Sequence, residues 1–129
     1  MKNHASSEDY LETILILKNK MPLVRAIDIA NEMKFSKPSV SVALKKLKEK
    51  GLITVDTQTG NINFTQDGLE IATNVLDKHH VISSFLISWG VTKEVALEDA
   101  CKLEHDLSEE SFSKLKLFYQ TKIIKNNSK

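Results

Sequence analysis

Cys101, Glu104 and His105 stand at i, i+3 and i+4, the spacing that sets a thiolate, a carboxylate and an imidazole on one face of a helix. Together they suit a divalent cation. A second constellation is Ser36-Lys37-Pro38-Ser39-Val40-Ser41-Val42-Ala43-Leu44-Lys45-Lys46-Leu47. Hydroxyls and N-terminal amides match phosphate oxygens, lysines neutralise them, and Pro38 or Val42 can meet a thymine methyl, so double-stranded DNA is the ligand this chemistry serves. Ser36, Lys37, Pro38, Ser39, Ser41, Val42, Lys45 and Lys46 are the candidate contacts, with Arg25, the chain's only arginine, as a phosphate clamp. Each feature has a plainer alternative: serines that merely cap, lysines that line a solvated helix face.

The elements that would position these residues follow from caps and periodicity. Ser6 or Ser7 caps a first helix, about Glu8 to Asn19, with Glu8 and Asp9 in its first turn and an apolar set of Tyr10, Leu11, Ile14, Leu15 and Leu17. Met21-Pro22-Leu23 breaks it, and Ala26, Ile27, Ile29, Ala30 and Met33 outline a short second helix. Ser36 caps a third, with Pro38 in its first turn, Val40, Ala43, Leu44 and Leu47 inward, and Gly51 as its stop. Leu52–Val55 and Asn61–Phe64, separated by five turn-forming residues, read as a β-hairpin. Three helices and a hairpin, the third helix basic and Ser-capped, are the layout of a winged helix-turn-helix.

Thr65 then caps a long helix, about Gln66 to Ser88, ended by Gly90, with an apolar stripe of Ala72, Val75, Leu76, Ile82, Leu86 and Trp89 that includes His79. A fifth helix, about Lys93 to Glu104, follows Thr92, and a sixth with Phe112, Leu115, Phe118 and Tyr119 follows Ser108; Lys125 to Lys129 read as a frayed tail. These three helices carry more apolar surface than so small a region buries alone, which points to a helical homodimer. The fold class is therefore mainly α, with a winged-helix DNA-binding domain at 1–65 and a helical dimerisation and metal-binding domain at 66–129. Taken singly, His79 reads as a satisfied core histidine, Asp9 as a capping acid and Glu12 as a solvated one. An imidazole in an apolar stripe and a Cys/Glu/His cluster near helix packing each need a partner, and one cation serves them all.

Composition agrees. The 129 residues hold 18 Lys+Arg against 17 Asp+Glu, a formal charge of +1. That neutrality hides a polarity: Lys34 to Lys50 holds six lysines against Glu49, a net of +5, and Glu94 to Glu110 holds seven acids against Lys102, a net of −6. A single cysteine builds no internal disulfide, the first seven residues carry no apolar run, and no stretch nears the ~18 apolar residues of a membrane span, so the expected location is the cytoplasm. There is no Gly-rich phosphate loop, nucleophile elbow or HExxH pattern, and no enzymatic activity is expected.

These residues resemble the diphtheria toxin repressor family of metal-dependent transcriptional regulators, nearest its manganese transport regulator branch. The resemblance is carried by Glu8-Asp9-Tyr10-Leu11-Glu12-Thr13-Ile14, Ser36-Lys37-Pro38-Ser39-Val40-Ser41, Lys50-Gly51-Leu52-Ile53, Lys78-His79 and the run from Glu98 to Ser108. It implies a homodimer that grips a palindromic operator when metal is bound, and metal ligands at Asp9, Glu12, His79, Glu104 and His105. Cys101 departs from that branch, where a glutamate is usual. The iron-responsive branch has cysteine there, but a methionine where this chain has Asp9. Hard oxygens suit Mn2+ or Fe2+, and a thiolate adds preference for iron, Zn2+ or Co2+. The family's wing often carries an aromatic-Arg-Gly turn, whereas Gln58-Thr59-Gly60 supplies no cation, which predicts weaker wing contacts. The chain also stops before the extra C-terminal domain that the iron-responsive branch often adds. The implied function is a repressor of manganese or iron uptake genes in which metal joins helix one to the dimerisation domain and sets the spacing of the recognition helices. The alternatives are a winged-helix repressor controlled by a small organic ligand and, further off, a small metal-dependent hydrolase.

Overall fold

The structure is a computed structural model that describes residues 6–124, so the predicted frayed tail lies outside the described residues. Six α-helices and one two-stranded sheet follow in the order α1 (Ser7–Lys18), α2 (Ala26–Met33), α3 (Lys37–Glu49), β1 (Ile53–Val55), β2 (Ile62–Phe64), α4 (Gln66–Ser88), α5 (Lys93–Leu103) and α6 (Glu109–Phe118), with a π-helical turn at Tyr119–Ile124. The chain forms two compact units, Met1–Asn74 and Val75–Lys129, with their boundary inside α4.

In the first unit the caps set the helix ends. Ser6 accepts from the Asp9 amide at 3.2 Å while the Asp9 carboxylate accepts from the Ser6 amide at 3.1 Å, a reciprocal box that satisfies two amides at the start of α1. At α2 the Arg25 amide donates to the Asp28 carboxylate. Lys34 ends α2 in the left-handed region at φ 60, and three residues later α3 begins, which is the tight turn of a helix-turn-helix. Ser36 Oγ accepts from the Ser39 amide at the head of α3, and Gly51, at φ 74, turns the chain out of it.

The hairpin pairs Ile53 with Phe64, Thr54 with Asn63 and Val55 with Ile62. A further segment reinforces it: Ile62 N donates to Val24 O at 2.8 Å, and Val24 N donates to Asn61 Oδ1 at 3.0 Å, so the segment ahead of α2 runs along β2. Lys18 Nζ, at the end of α1, donates to Ile62 O at 2.7 Å and Asn63 Oδ1 at 3.1 Å. Leu11, Ile14, Val24, Ile29, Val40, Leu47, Ile53 and Ile62 are almost completely excluded from solvent and unite the three helices and both strands in one core.

Thr65 locks the start of α4, donating to Gly51 O at 2.7 Å and accepting from Gly68 N at 3.1 Å. Gly68 is there because a Cβ at that position would overlap the Leu52 carbonyl oxygen. In the second unit, Val81 and Phe85 of α4 pack with Phe112 of α6, flanked by Leu115 and Tyr119. Two sequence expectations change here. Trp89, placed by periodicity on the inward stripe, is 73% exposed, and Phe118 is 50% exposed. And α5 ends at Leu103, one residue early, leaving Glu104 as its C-cap.

Two outcomes test these local arguments. Alanine is ordinarily worth about 1 kcal/mol over glycine inside a helix, but Gly68→Ala is expected to destabilise the protein by roughly 1–3 kcal/mol through overpacking, seen as a lower urea midpoint at unchanged slope; an unchanged midpoint would contradict the close approach. At the hairpin turn, the Thr59 and Gln58 amides donate to Asp56 and hold its carboxyl below the usual 3.8. A depressed folded value means the contribution is present above 3.8 and is lost as pH falls through the folded value. The Gln58 and Thr59 amide NMR shifts should titrate with a midpoint below 3.8, and Asp56→Asn should abolish that titration.

Candidate metal centre and nucleic-acid interface

The second unit holds a buried carboxylate between two imidazoles. Glu104 is 2% exposed, on the turn that leaves α5 and leads to Ser108, the cap of α6. His79 Nδ1, from the middle of α4, lies 3.4 Å from Glu104 Oε2, and His105 Nε2 lies 3.7 Å from Oε1. Among the described residues neither Glu104 oxygen has a hydrogen-bond donor. An ionised carboxylate removed from water costs several kcal/mol unless it is paired and hydrogen-bonded. Its place at a helix C-terminus, the negative end of the dipole, adds to that cost. The arrangement answers to a positive charge held by oxygen and nitrogen donors, a set compatible with Mn2+ or Fe2+. The residues present therefore fit a divalent cation.

Sequence spacing had set Cys101, Glu104 and His105 on one helical face. Cys101, which forms no disulfide, is half-buried in the last turn of α5, whereas Glu104 and His105 leave from the cap and the turn beyond it. Two ion pairs join α4 to α6 around this site, Lys78 with Glu109 at 2.9 Å and Lys116 with Asp77 at 2.6 Å. Lys78 also lies over the Phe112 ring. In the first unit, Asp9 and Glu12 occupy successive turns of α1 and both are buried, so Glu12 is not the solvated acid its position alone suggested.

The candidate DNA contacts fall together on α3. Val40, Leu44 and Leu47 point into the core, while Ser36, Lys37, Pro38, Ser39, Ser41, Val42, Lys45 and Lys46 are exposed. The Ser36 and Ser39 hydroxyls are 3.0 Å apart at the helix head, where the Ser39 amide already donates to Ser36 Oγ. Such a face offers hydroxyls and ammonium groups to phosphate oxygens and one aliphatic group to a base. Arg25 is exposed as well. Sequence reasoning read Met21-Pro22-Leu23 as a helix breaker and missed that Val24, just after it, pairs with Asn61 and Ile62 and brings Arg25 to the hairpin; no local signal marks a pairing between segments so far apart in sequence.

Comparison with known proteins follows the same division. The profile described as "Iron dependent repressor, N-terminal DNA binding domain" matches residues 4–60, and "Iron dependent repressor, metal binding and dimerisation domain" matches residues 65–121. A helix-turn-helix transcriptional regulator of Methanocaldococcus jannaschii is 37% identical over 117 residues, covering 89% of this chain and 93% of its own. The transcriptional regulator MntR of Escherichia coli is 34% identical over 113 residues, covering 88% of this chain and 72% of its own. Among solved structures, the manganese regulator SloR superposes with a TM-score of 0.79 at 31% identity, over 93% of this chain and 55% of that one. The metal-dependent transcriptional regulator MtsR gives 0.82 at 28% identity, over 89% of this chain and 54% of that one. The chain thus spans little more than half the length of those two solved regulators. With both profiles matched in order and a relative similar along nearly its whole length, the chain belongs to the iron-dependent repressor family of metal-dependent, DNA-binding transcriptional regulators.

Proposed function

We propose that this chain is a cytoplasmic repressor, activated by Mn2+ or Fe2+, that controls genes for uptake of that metal and binds its operator as a homodimer. The observation that carries the reading is the buried Glu104 carboxylate, flanked by His79 and His105 and lacking a hydrogen-bond donor among the described residues. In this reading Glu104, His79 and His105 hold the ion, and the resemblance adds Asp9, Glu12 and Cys101. The similarity to the manganese regulator SloR favours manganese; the Cys101 thiol is what extends the candidates to Fe2+, with Zn2+ and Co2+ behind.

A bound divalent ion supplies the positive charge that buried carboxylates require. In this reading metal activates operator binding, and the factor by which metal tightens DNA binding is the factor by which DNA tightens metal binding. The exposed Ile87, Trp89, Val95, Leu97, Leu103, Leu117 and Phe118 of the second unit support its role in dimerisation, since so many large apolar groups on one small unit gain by being covered. The reading assigns no catalytic role to any residue, and nothing favours a small organic effector over the cation.

Two measurements test the reading. An operator duplex selected from a randomised library by the manganese-loaded chain should bind, by fluorescence anisotropy at fixed salt, roughly 5- to 150-fold more weakly when EDTA replaces Mn2+; equal affinity in both conditions would remove metal control. Glu104→Gln should weaken Mn2+ binding, read from the EPR signal of free Mn2+, by roughly 10- to 100-fold or more. Because this change removes a buried charge, the metal-free variant should melt no lower than the metal-free parent, separating a lost ligand from a lost fold.

A further inference from the structure

The hairpin turn is an unlikely element to meet a polyanion. Asp56-Thr57-Gln58-Thr59-Gly60 holds one acid and no base, and the Asp56 carboxylate is turned onto the Gln58 and Thr59 amides at 2.8 and 3.0 Å. The chain nevertheless brings its single arginine to this place. Val24 is hydrogen-bonded to both Asn61 and Ile62, which fixes the next residue, Arg25, beside the turn. A Cβ built on Gly60 would lie 3.7 Å from Arg25 Cγ and 3.8 Å from Cδ, so the aliphatic stem of Arg25 lies on the side-chain side of that glycine. Gly60 has φ +79, so the turn conformation favours glycine, while the Arg25 stem leaves room at that position. The guanidinium begins one bond beyond Cδ and is therefore carried to the edge of the turn, on an exposed residue.

We propose that Arg25 and the 56–60 turn form a composite minor-groove reader, in which the arginine missing from the turn itself is supplied by the segment before α2. The proposal rests on the repressor reading above. With the exposed face of α3 in a major groove, the hairpin lies over the neighbouring phosphate ridge and minor groove. A guanidinium is planar, delocalised and weakly hydrated, and it is attracted into minor grooves that A·T tracts make narrow and strongly negative. A G·C pair places the guanine N2 amino group in that path. Arg25 would then give preference for A·T pairs flanking the bases read by α3. Lysine, a compact and strongly hydrated charge, serves a phosphate equally well but not this role, and every other cation of the 18 Lys+Arg is a lysine.

The test uses the full chain with Mn2+ and the duplex selected from the randomised library, rebuilt with A·T, G·C or inosine·C pairs in the flanks. Inosine keeps the major-groove edge of guanine but lacks its N2 amino group. The parent protein should bind the A·T-flanked duplex about tenfold tighter than the G·C-flanked one, and inosine should restore most of that loss. Arg25→Lys keeps the charge and much of the stem, and whatever its overall affinity, its A·T to G·C ratio should fall to near one. A ratio near one in the parent, or one retained in Arg25→Lys, would overturn the proposal and leave Arg25 a phosphate contact. Failure of the library to yield any site with metal present would instead remove the repressor reading, and this proposal with it.

Discussion

The second unit is organised around the cost of an ionised carboxylate at Glu104. Burial opposes its charge, and so does its position at the C-terminal end of α5, where a cation is the favoured occupant. The two imidazoles, 3.4 and 3.7 Å away and making no hydrogen bond to it, do not discharge that cost. Places where local rules are broken between regular caps and ion pairs are where proteins ordinarily trade stability for binding. The surrounding devices hold this residue in place: Ser108 caps α6 right after the turn, and the Lys78–Glu109 and Lys116–Asp77 pairs tie α6 to α4, which carries His79.

The first unit solves a different problem, presenting a rigid basic helix. Its core reaches every element, and three polar ties fix the hairpin beside α3: Lys18 to β2, Val24 along β2, and Thr65 to the Gly51 carbonyl. Each exposed ion pair on such a surface is worth little. These ties are different because they satisfy backbone groups of a two-stranded sheet too small to stand alone. Rigidity there sets the angle between α3 and the hairpin turn.

Much of this was legible locally. Ser6, Ser36, Thr65 and Ser108 as caps, Pro38 in a first turn and Gly51 and Gly90 as stops are short-range signals, and the helices they bound lie where the pattern set them, within a residue or so. The basic face of α3 was readable for the same reason. Three features were not. Periodicity identifies an apolar stripe but not what covers it, so Trp89 fell on the inward face in sequence and on the exposed surface in the structure. The helical pattern around Cys101 runs on through Glu104, and nothing local shows that the last turn stops at Leu103. The pairing of Val24 with β2 joins segments far apart in sequence, out of reach of any window.

That last pairing changes how the charge distribution is understood. A net of +5 over α3 and its flanks, all of it lysine, gives attraction to any phosphate backbone and little discrimination between sequences. Discrimination has to come from groups with fixed geometry: the hydroxyls and Val42 on α3, and whatever the chain places beside it. A long flexible cation in open solvent would lose entropy on being ordered by DNA. Arg25 has already lost part of it, since its stem rests on Gly60 and its backbone is held between Val24 and Asp28. Charge is thereby spread over many interchangeable lysines, while the one planar cation stands on a backbone held by hydrogen bonds on both sides.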